Sequence, residues 1–212
     1  DNDKYFKKSL FQPNKDSDYI DVISSYIGSN HHNIVLNNVD VANALDEAVI
    51  ERGVPGFVDI DSSLMLFCKE VKKDFTVCLS GECADEIFAG YPWYHKKEIL
   101  FENVFPWARN TNIRQRILKN GFLSDGEEYL QSAYKNTLKN ISYLESDDKI
   151  NKRMRKMFVL NLNWFMQTLL ARKDNMSMAS SLEVRVPFCD YRLVEYAYNM
   201  PWNIKALDGR EK

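Results

Sequence analysis

The sequence predicts an α/β fold, a parallel sheet with flanking helices, followed by a helix-rich C-terminal half. Three observations lead there. Over residues 1–95, short β-prone runs alternate with helical patterns, an order that implies parallel strands joined by helices. The run Phe75-Thr76-Val77-Cys78-Leu79 turns at Ser80-Gly81 straight into an acidic helical stretch, the junction at which open α/β sheets bind ligands. Beyond Lys96 nearly every apolar pattern has the helical period.

Asp1 to Pro13 is polar and aromatic without a clear period and reads as an extended entry. Asp16 to Gly28 carries Tyr19, Ile20, Val22, Ile23, Tyr26 and Ile27, a helix closed by glycine. Asn33 to Leu36 reads as a short strand, and Val39 to Arg52 as a helix stopped by Gly53. Val54 to Asp61 is a turn-rich loop, after which Ser62 or Ser63 caps a helix over Leu64 to Lys73. That helix feeds the strand at Phe75, read as buried. Two strands are too few for a stable sheet, so the others are expected upstream of this sequence. In the second portion, residues 96–212, helices are expected over Lys96–Asn103, Asn112–Asn120, Glu127–Leu138, Ile150–Leu182 and Tyr191–Asn199. Met154 to Leu170 is apolar almost all round, the signature of a buried central helix.

The 212 residues allow one domain, and an apolar content of 45% is enough for a sizeable core. A net charge of −2 gives no sign of nucleic acid or an anionic membrane as partner. No apolar run approaches a membrane span. No signal peptide opens the chain, and its first residue is not Met, so a piece of a longer protein is expected. Cys68, Cys78, Cys83 and Cys189 form no C-x-x-C pair and read as core thiols of a cytoplasmic protein.

The chemistry concentrates between Phe75 and Tyr91. A small residue at Gly81 lets a ligand approach the backbone, and a helix opening near Glu82 would aim N–H groups at a phosphate. Glu82 and Asp85, three apart, would share a helix face, and paired carboxylates beside a phosphate commonly hold Mg2+. For the stretch alone, the plainer reading is a helix start whose acids complement the macrodipole.

The segment LSGECADEIFAGYPW resembles the LSGEGADEIFGGY signature of the synthetase domain of glutamine-hydrolysing asparagine synthetases. RKDNMSMASSLEVRVPFCD, from Arg172 to Asp190, resembles the same family's R-x-D-x-x-S-M…S-x-E-x-R-x-P-F-L-D. The resemblance covers essentially the whole chain, most weakly from Pro92 to Asp148. It implies the ATP-pyrophosphatase fold, and a chain that is part of one synthetase domain. It also implies Mg-ATP and aspartate as substrates, with aspartyl-adenylate and pyrophosphate formed first and AMP then displaced by ammonia. The ammonia would come from glutamine in an upstream glutaminase domain of the same parent chain; a homodimer stays open. Carried over by position, Ser80 and Gly81 line the adenylate, Glu82 faces the reacting intermediate, and Asp85 binds Mg2+ and pyrophosphate. Lys212, in G-R-E-K, matches the lysine of E-K-x-x-L-R that stabilises developing negative charge.

Several residues have structural rivals to those roles. Arg185 and Asp190 read as a buried ion-pair network, Arg172 and Lys173 as a solvated face, and Asp174 equally as a substrate or a turn residue. His31 and His32 lack ligand-spaced neighbours and read as structural, and His95 as a surface residue. Cys83 and Ala89 stand where the motif has glycine; Cys83, at a helix start, invites a lowered pKa, although packing is the simpler role. The family's S-G-G-x-D-S loop and leading cysteine are not in this sequence, so the piece alone is expected to be inactive. Two alternatives remain: an adenylating enzyme of the β-lactam synthetase or peptide cyclase type, and a binding domain that kept the fold.

Overall fold

The computed structural model describes residues 6–9, 14–119 and 121–207. Helices α1 (Ser17–Ile27), α2 (Asn38–Asn43), α3 (Leu45–Arg52) and α4 (Asp59–Lys72) lead to strand β1 (Val77–Leu79). Then come α5 (Ala84–Phe88), α6 (Pro92–His95), α7 (Lys97–Leu100), α8 (Thr111–Ile117), α9 (Gly126–Leu138) and α10 (Lys149–Leu160). A π-helical turn, Asn161–Phe165, joins α10 to α11 (Met166–Met178); β2 (Glu183–Arg185), α12 (Tyr191–Asn199) and α13 (Trp202–Lys205) complete the order. The result is a helix-rich α/β protein with a small parallel sheet. It divides into two units, Asp1–Ser80 with Leu170–Arg185, and Gly81–Leu169 with Val186–Lys212.

The first unit holds the sheet. β1 and β2 pair in parallel, Val77 with Glu183, Cys78 with Val184 and Leu79 with Arg185. Sequence reading missed β2, because its three residues directly follow a long helical pattern. It also placed a strand at Asn33–Leu36. That segment is irregular and Val35 is 81% exposed; no neighbouring strand among the described residues satisfies its backbone, and a lone strand has no ladder to hold it. β1 is not buried as expected: Leu79 is 73% exposed, since only one strand flanks it among the described residues.

Glycine closes two helices as expected. Gly28 closes α1 with φ 67° and Gly53 closes α3 with φ 75°, both left-handed caps that cost glycine little. Asn37 caps α2 by accepting the Asp40 N–H at 2.8 Å. The expected Val39–Arg52 helix breaks at Ala44. α4 begins at Asp59, so Ser62 and Ser63 lie inside it rather than capping it. Its buried face, with Met65, meets Ala44, Ala48 and Met176; Met65 and Met176 are fully buried and contribute about 2 kcal/mol each. Beside them Asp61, 3% exposed, accepts the Phe57 N–H at 2.8 Å and pairs with Arg52 at 3.2 Å. Gly56 permits this turn, for a Cβ there would lie 1.9 Å from the Asp61 carboxylate.

The second unit packs around α10. Met157 and Leu160 are fully buried among an aromatic cluster that includes Trp93, Phe105 and Trp107. The expected continuous helix from Ile150 to Leu182 is interrupted by the π turn, where buried Asn161 donates to the Met157 carbonyl at 2.9 Å. One extra residue in that turn re-aims Trp164, whose indole N–H reaches Thr137 Oγ1 at 2.8 Å. Arg155 and Asp147 form a buried pair at 2.6 Å, with side chains 8% and 6% exposed. Lys205 lies over the Phe158 ring, 4.5 Å from its centre. Burial, with Arg155 adding to it, pushes its ammonium down to about 8.

The Arg155–Asp147 pair makes a stability prediction. Burial alone would raise the Asp147 carboxyl, but the Arg155 hydrogen bonds and charge, together with the Leu144 N–H and the Lys152 charge, outweigh it and hold it below the ordinary value. Its contribution is therefore present above the unfolded pKa, about 3.9, and lost as pH falls through the folded value. Arg155→Met leaves Asp147 buried without its partner and should cost on the order of 3 kcal/mol at pH 7 in urea unfolding. The gap to the unsubstituted protein should close below about pH 4.

Candidate active site

The carboxyl end of β1 is held by backbone bonds to a segment distant in sequence. Glu183 N–H donates to the Thr76 carbonyl at 3.0 Å and Ser80 N–H to the Arg185 carbonyl at 2.8 Å. The ladder thus extends one residue past β1 and fixes Ser80 at the carboxyl end of the sheet. The next residue, Gly81, is exposed, and a Cβ built on it would meet nothing within 4 Å. Any space restriction there would come from a ligand and not from the fold.

Within the second unit, Glu82 sits in the turn before α5 and is half-buried. The helix starts two residues later than Glu82 and is five residues long, shorter than the run to Tyr91 that the pattern suggested. Asp85, in its first turn, is half-buried. Both ends of α5 are left-handed: Cys83 has φ 75° and Ala89 φ 63°. These are the two positions at which the resembled signature carries glycine and this chain does not, and the backbone shows why glycine suits them, since αL costs a residue with a Cβ roughly 1–2 kcal/mol. Ile87 N–H to the Cys83 carbonyl, 3.2 Å, and Gly90 N–H to the Asp85 carbonyl, 3.0 Å, close the segment.

The third acid, Glu86, has a role that sequence reading did not assign. It is 1% exposed and accepts the Tyr91 hydroxyl at 2.5 Å. Tyr91 in turn stacks on Trp93 at 4.3 Å and meets Phe165 edge-on at 5.3 Å. Burial raises the Glu86 carboxyl, and the Tyr91 hydrogen bond only partly offsets this. Glu86 therefore anchors the helix from beneath. The signal was its spacing: it lies one residue from Asp85, on the face shared with buried Cys83 and Ile87.

The Cys83 thiol is not acidified. It is 2% exposed, and burial with the neighbouring Cys189 thiol pushes its pKa up, so the lowered pKa that a helix start invites is absent and packing, the expected role, is what the residue does. Arg185 and Asp190 do not form a buried network. Arg185 pairs with Glu183 at 2.8 Å on the surface. Asp190 binds Arg192 at 2.6 Å and caps α12, which holds its carboxyl down to about 2. Arg172 and Lys173 are half-buried rather than solvated, with Arg172 5.8 Å from the centre of the Phe57 ring. Asp174 is exposed within α11. His31 contacts Asn33 at 2.9 Å in an exposed stretch. His95 is not a surface residue: it is half-buried, bonded to the Ala89 carbonyl at 2.9 Å and tilted on Trp202. Lys212 lies outside the described residues.

Among the described residues no three His, Cys, Asp or Glu side chains form a metal-holding group. Asp85, with Glu82 nearby in sequence, suits a hard cation that takes its remaining oxygens from phosphate and water, the usual habit of Mg2+. No described helix is long and apolar enough to cross a membrane.

The family model for asparagine synthase matches residues 5–212. The chain is 48% identical, over all of its length and 34% of the relative's, to glutamine-hydrolysing asparagine synthetase 3 of Bacillus subtilis (strain 168). Glutamine-hydrolysing asparagine synthetase 1 of the same organism is 30% identical over 70% of this chain and 28% of the relative. The rat glutamine-hydrolysing asparagine synthetase is 24% identical over 90% of this chain and 26% of the relative. The chain spans about a third or less of the length of these curated relatives.

The Glu86 geometry is open to a direct check. A carboxyl raised on folding binds its proton more tightly in the native state, so stability falls as pH rises from the unfolded value through the folded one. Glu86→Gln removes that slope. The difference in unfolding free energy, variant minus unsubstituted protein, should be more favourable at pH 8 than at pH 5 in urea titrations. An equal difference at both values would mean that Glu86 is not buried as a raised carboxyl.

Proposed function

The chain belongs to the asparagine synthase family, and from that premise we propose that it forms part of an ATP-dependent amide ligase that makes asparagine. In this reading residues 1–95 and 96–212 are the α/β and mostly helical portions of one synthetase domain with the ATP-pyrophosphatase fold. A side-chain carboxylate oxygen of aspartate attacks the α-phosphorus of ATP and pyrophosphate leaves. Ammonia then attacks the activated carbonyl carbon and AMP leaves. The names of the relatives point to glutamine as the nitrogen source, through a glutaminase domain of the parent protein. The four described thiols are free, in keeping with the reducing cytoplasm we assign to it.

The observation that carries the reading is the open backbone at Gly81, set between the ladder-held Ser80 and the half-buried Glu82 and Asp85. Ser80 and Gly81 line the adenylate, where a missing side chain lets phosphate reach the main chain. Asp85 would hold Mg2+, an ion that would supply positive charge beside the phosphates. Glu82 faces the activated carbonyl, where a carboxylate can orient ammonia and take its proton. Lys212 supplies a positive charge to the same phosphates. The cyclase alternative would draw on a Tyr–Glu pair; the pair present, Tyr91 and Glu86, holds its carboxylate 1% exposed, out of reach of a substrate.

The test is aspartate-dependent pyrophosphate release from Mg-ATP by the intact protein. Asp85→Asn should lower kcat/KM for release at least ~100-fold, and Glu82→Gln should lower amide formation by roughly 10²–10⁴. Release with another carboxylate but not with aspartate would overturn the asparagine assignment. Gly81→Ala separates site from scaffold: with nothing within 4 Å of its Cβ, unfolding free energy should move by less than about 0.5 kcal/mol, while KM for ATP rises at least ~10-fold.

A further inference from the structure

We propose that the second unit carries a separate binding cleft for an oligophosphate, a ligand with two or more linked phosphoryl groups, on the exposed side of α10. The cleft encloses about 390 Å³ and is lined by Phe101, Asn103, Lys149, Lys152, Arg153 and Lys156. Its size lies within the usual range of small-molecule sites. Four of its six lining residues are cationic and none is acidic.

Three features set this apart from an ordinary solvated helix face. The first is Arg153. It is 6% exposed, yet its donors go to neutral oxygens only: the Leu100 and Glu102 carbonyls and the Tyr134 hydroxyl, the last at 2.9 Å. A buried guanidinium without a carboxylate is costly and calls for a counter-charge. The second is the neighbourhood. Lys149, Lys152 and Lys156 are spaced with Arg153 along one face of α10, and among the described residues none of the three forms an ion pair. Of the nearby acids, Glu102 binds Arg109 at 2.8 Å, Asp147 binds Arg155 at 2.6 Å, and Asp148 caps the helix by accepting the Asn151 N–H at 2.7 Å. The third is polarity. Asp148 caps α10, but the first turn that follows contains no acid and begins with Lys149, so Lys149 and Lys152 outnumber that carboxylate at the end where the helix is already positive. Like charges held together against a buried guanidinium favour an anion of several charges over a single one. Phe101, 42% exposed, and the Asn103 amide add a ring and a hydrogen-bonding group suited to a nucleoside.

Hydrogen–deuterium exchange of the intact protein, with pyrophosphate, ADP or orthophosphate added, tests the assignment. Pyrophosphate should slow exchange over residues 100–104 and 149–160, at concentrations at least ~10-fold below those needed with orthophosphate, and the effect should weaken as salt is raised. Combined Lys149→Gln, Lys152→Gln and Lys156→Gln, at two exposed positions and one half-buried one, should raise the half-saturating concentration at least ~10-fold there, without altering protection over residues 80–88. ADP acting at lower concentrations than pyrophosphate identifies a nucleotide; equal action identifies the bare oligophosphate. Protection confined to residues 80–88, or unchanged in the triple variant, overturns the proposal.

Discussion

The parallel pairing of Val77–Leu79 with Glu183–Arg185 is the constraint on which the candidate site depends. The paired segments lie roughly a hundred residues apart, and closing such a loop is an entropic cost the rest of the first unit must offset. Its offsets are visible: the methionine pair at the α4–α11 contact and the Arg52–Asp61 turn locked over Gly56. In return the ladder fixes Ser80 through the Arg185 carbonyl. The main chain therefore leaves the sheet at a defined point, with Gly81 open.

Beyond Gly81 the backbone is shaped by two left-handed residues. Cys83 and Ala89 bracket a helix of five residues. A helix that short has little stability of its own, so it is held by its underside. Buried Ile87 joins Phe158 and Ala197, and Glu86 ties to Tyr91 and through it to the aromatic cluster. The three acids thus divide their work. Glu86 is spent on structure, and Glu82 and Asp85 keep access to solvent.

The sequence made the junction legible because its signals are local: an apolar run, a small-residue turn and acids at fixed spacing. Helix ends at Gly28 and Gly53 were legible for the same reason, as was α12, whose bounds at Tyr191 and Asn199 match. Other features were hidden by their dependence on distant partners. β2 is three residues long and becomes a strand only because β1 lies beside it. Asn33–Leu36 has the composition of a strand but nothing to pair with among the described residues. The π turn at Asn161 leaves the apolar pattern continuous, so Ile150–Leu182 read as one helix. Glu86 and Asp85 are neighbours of identical charge, and only packing tells the buried acid from the half-buried one. His95 looked like a surface residue because the Ala89 carbonyl that receives it lies around a turn.

The discontinuous first unit also has a consequence for synthesis on the ribosome. β1 leaves the exit tunnel long before β2 exists, and at about 5–20 residues per second the wait is roughly 5–20 s. During that interval Phe75, Val77 and Leu79 form an unpaired, apolar edge, the kind of segment that invites pairing with another nascent chain. The second unit, by contrast, has α5 to α10 and all of the described aromatic cluster except Trp202 synthesised before β2 emerges. Vectorial translation therefore imposes an order in which most of the second unit is made before the sheet that carries Ser80 can close, and α12 and α13 follow it. A chaperone that shields the β1 edge would act in this window.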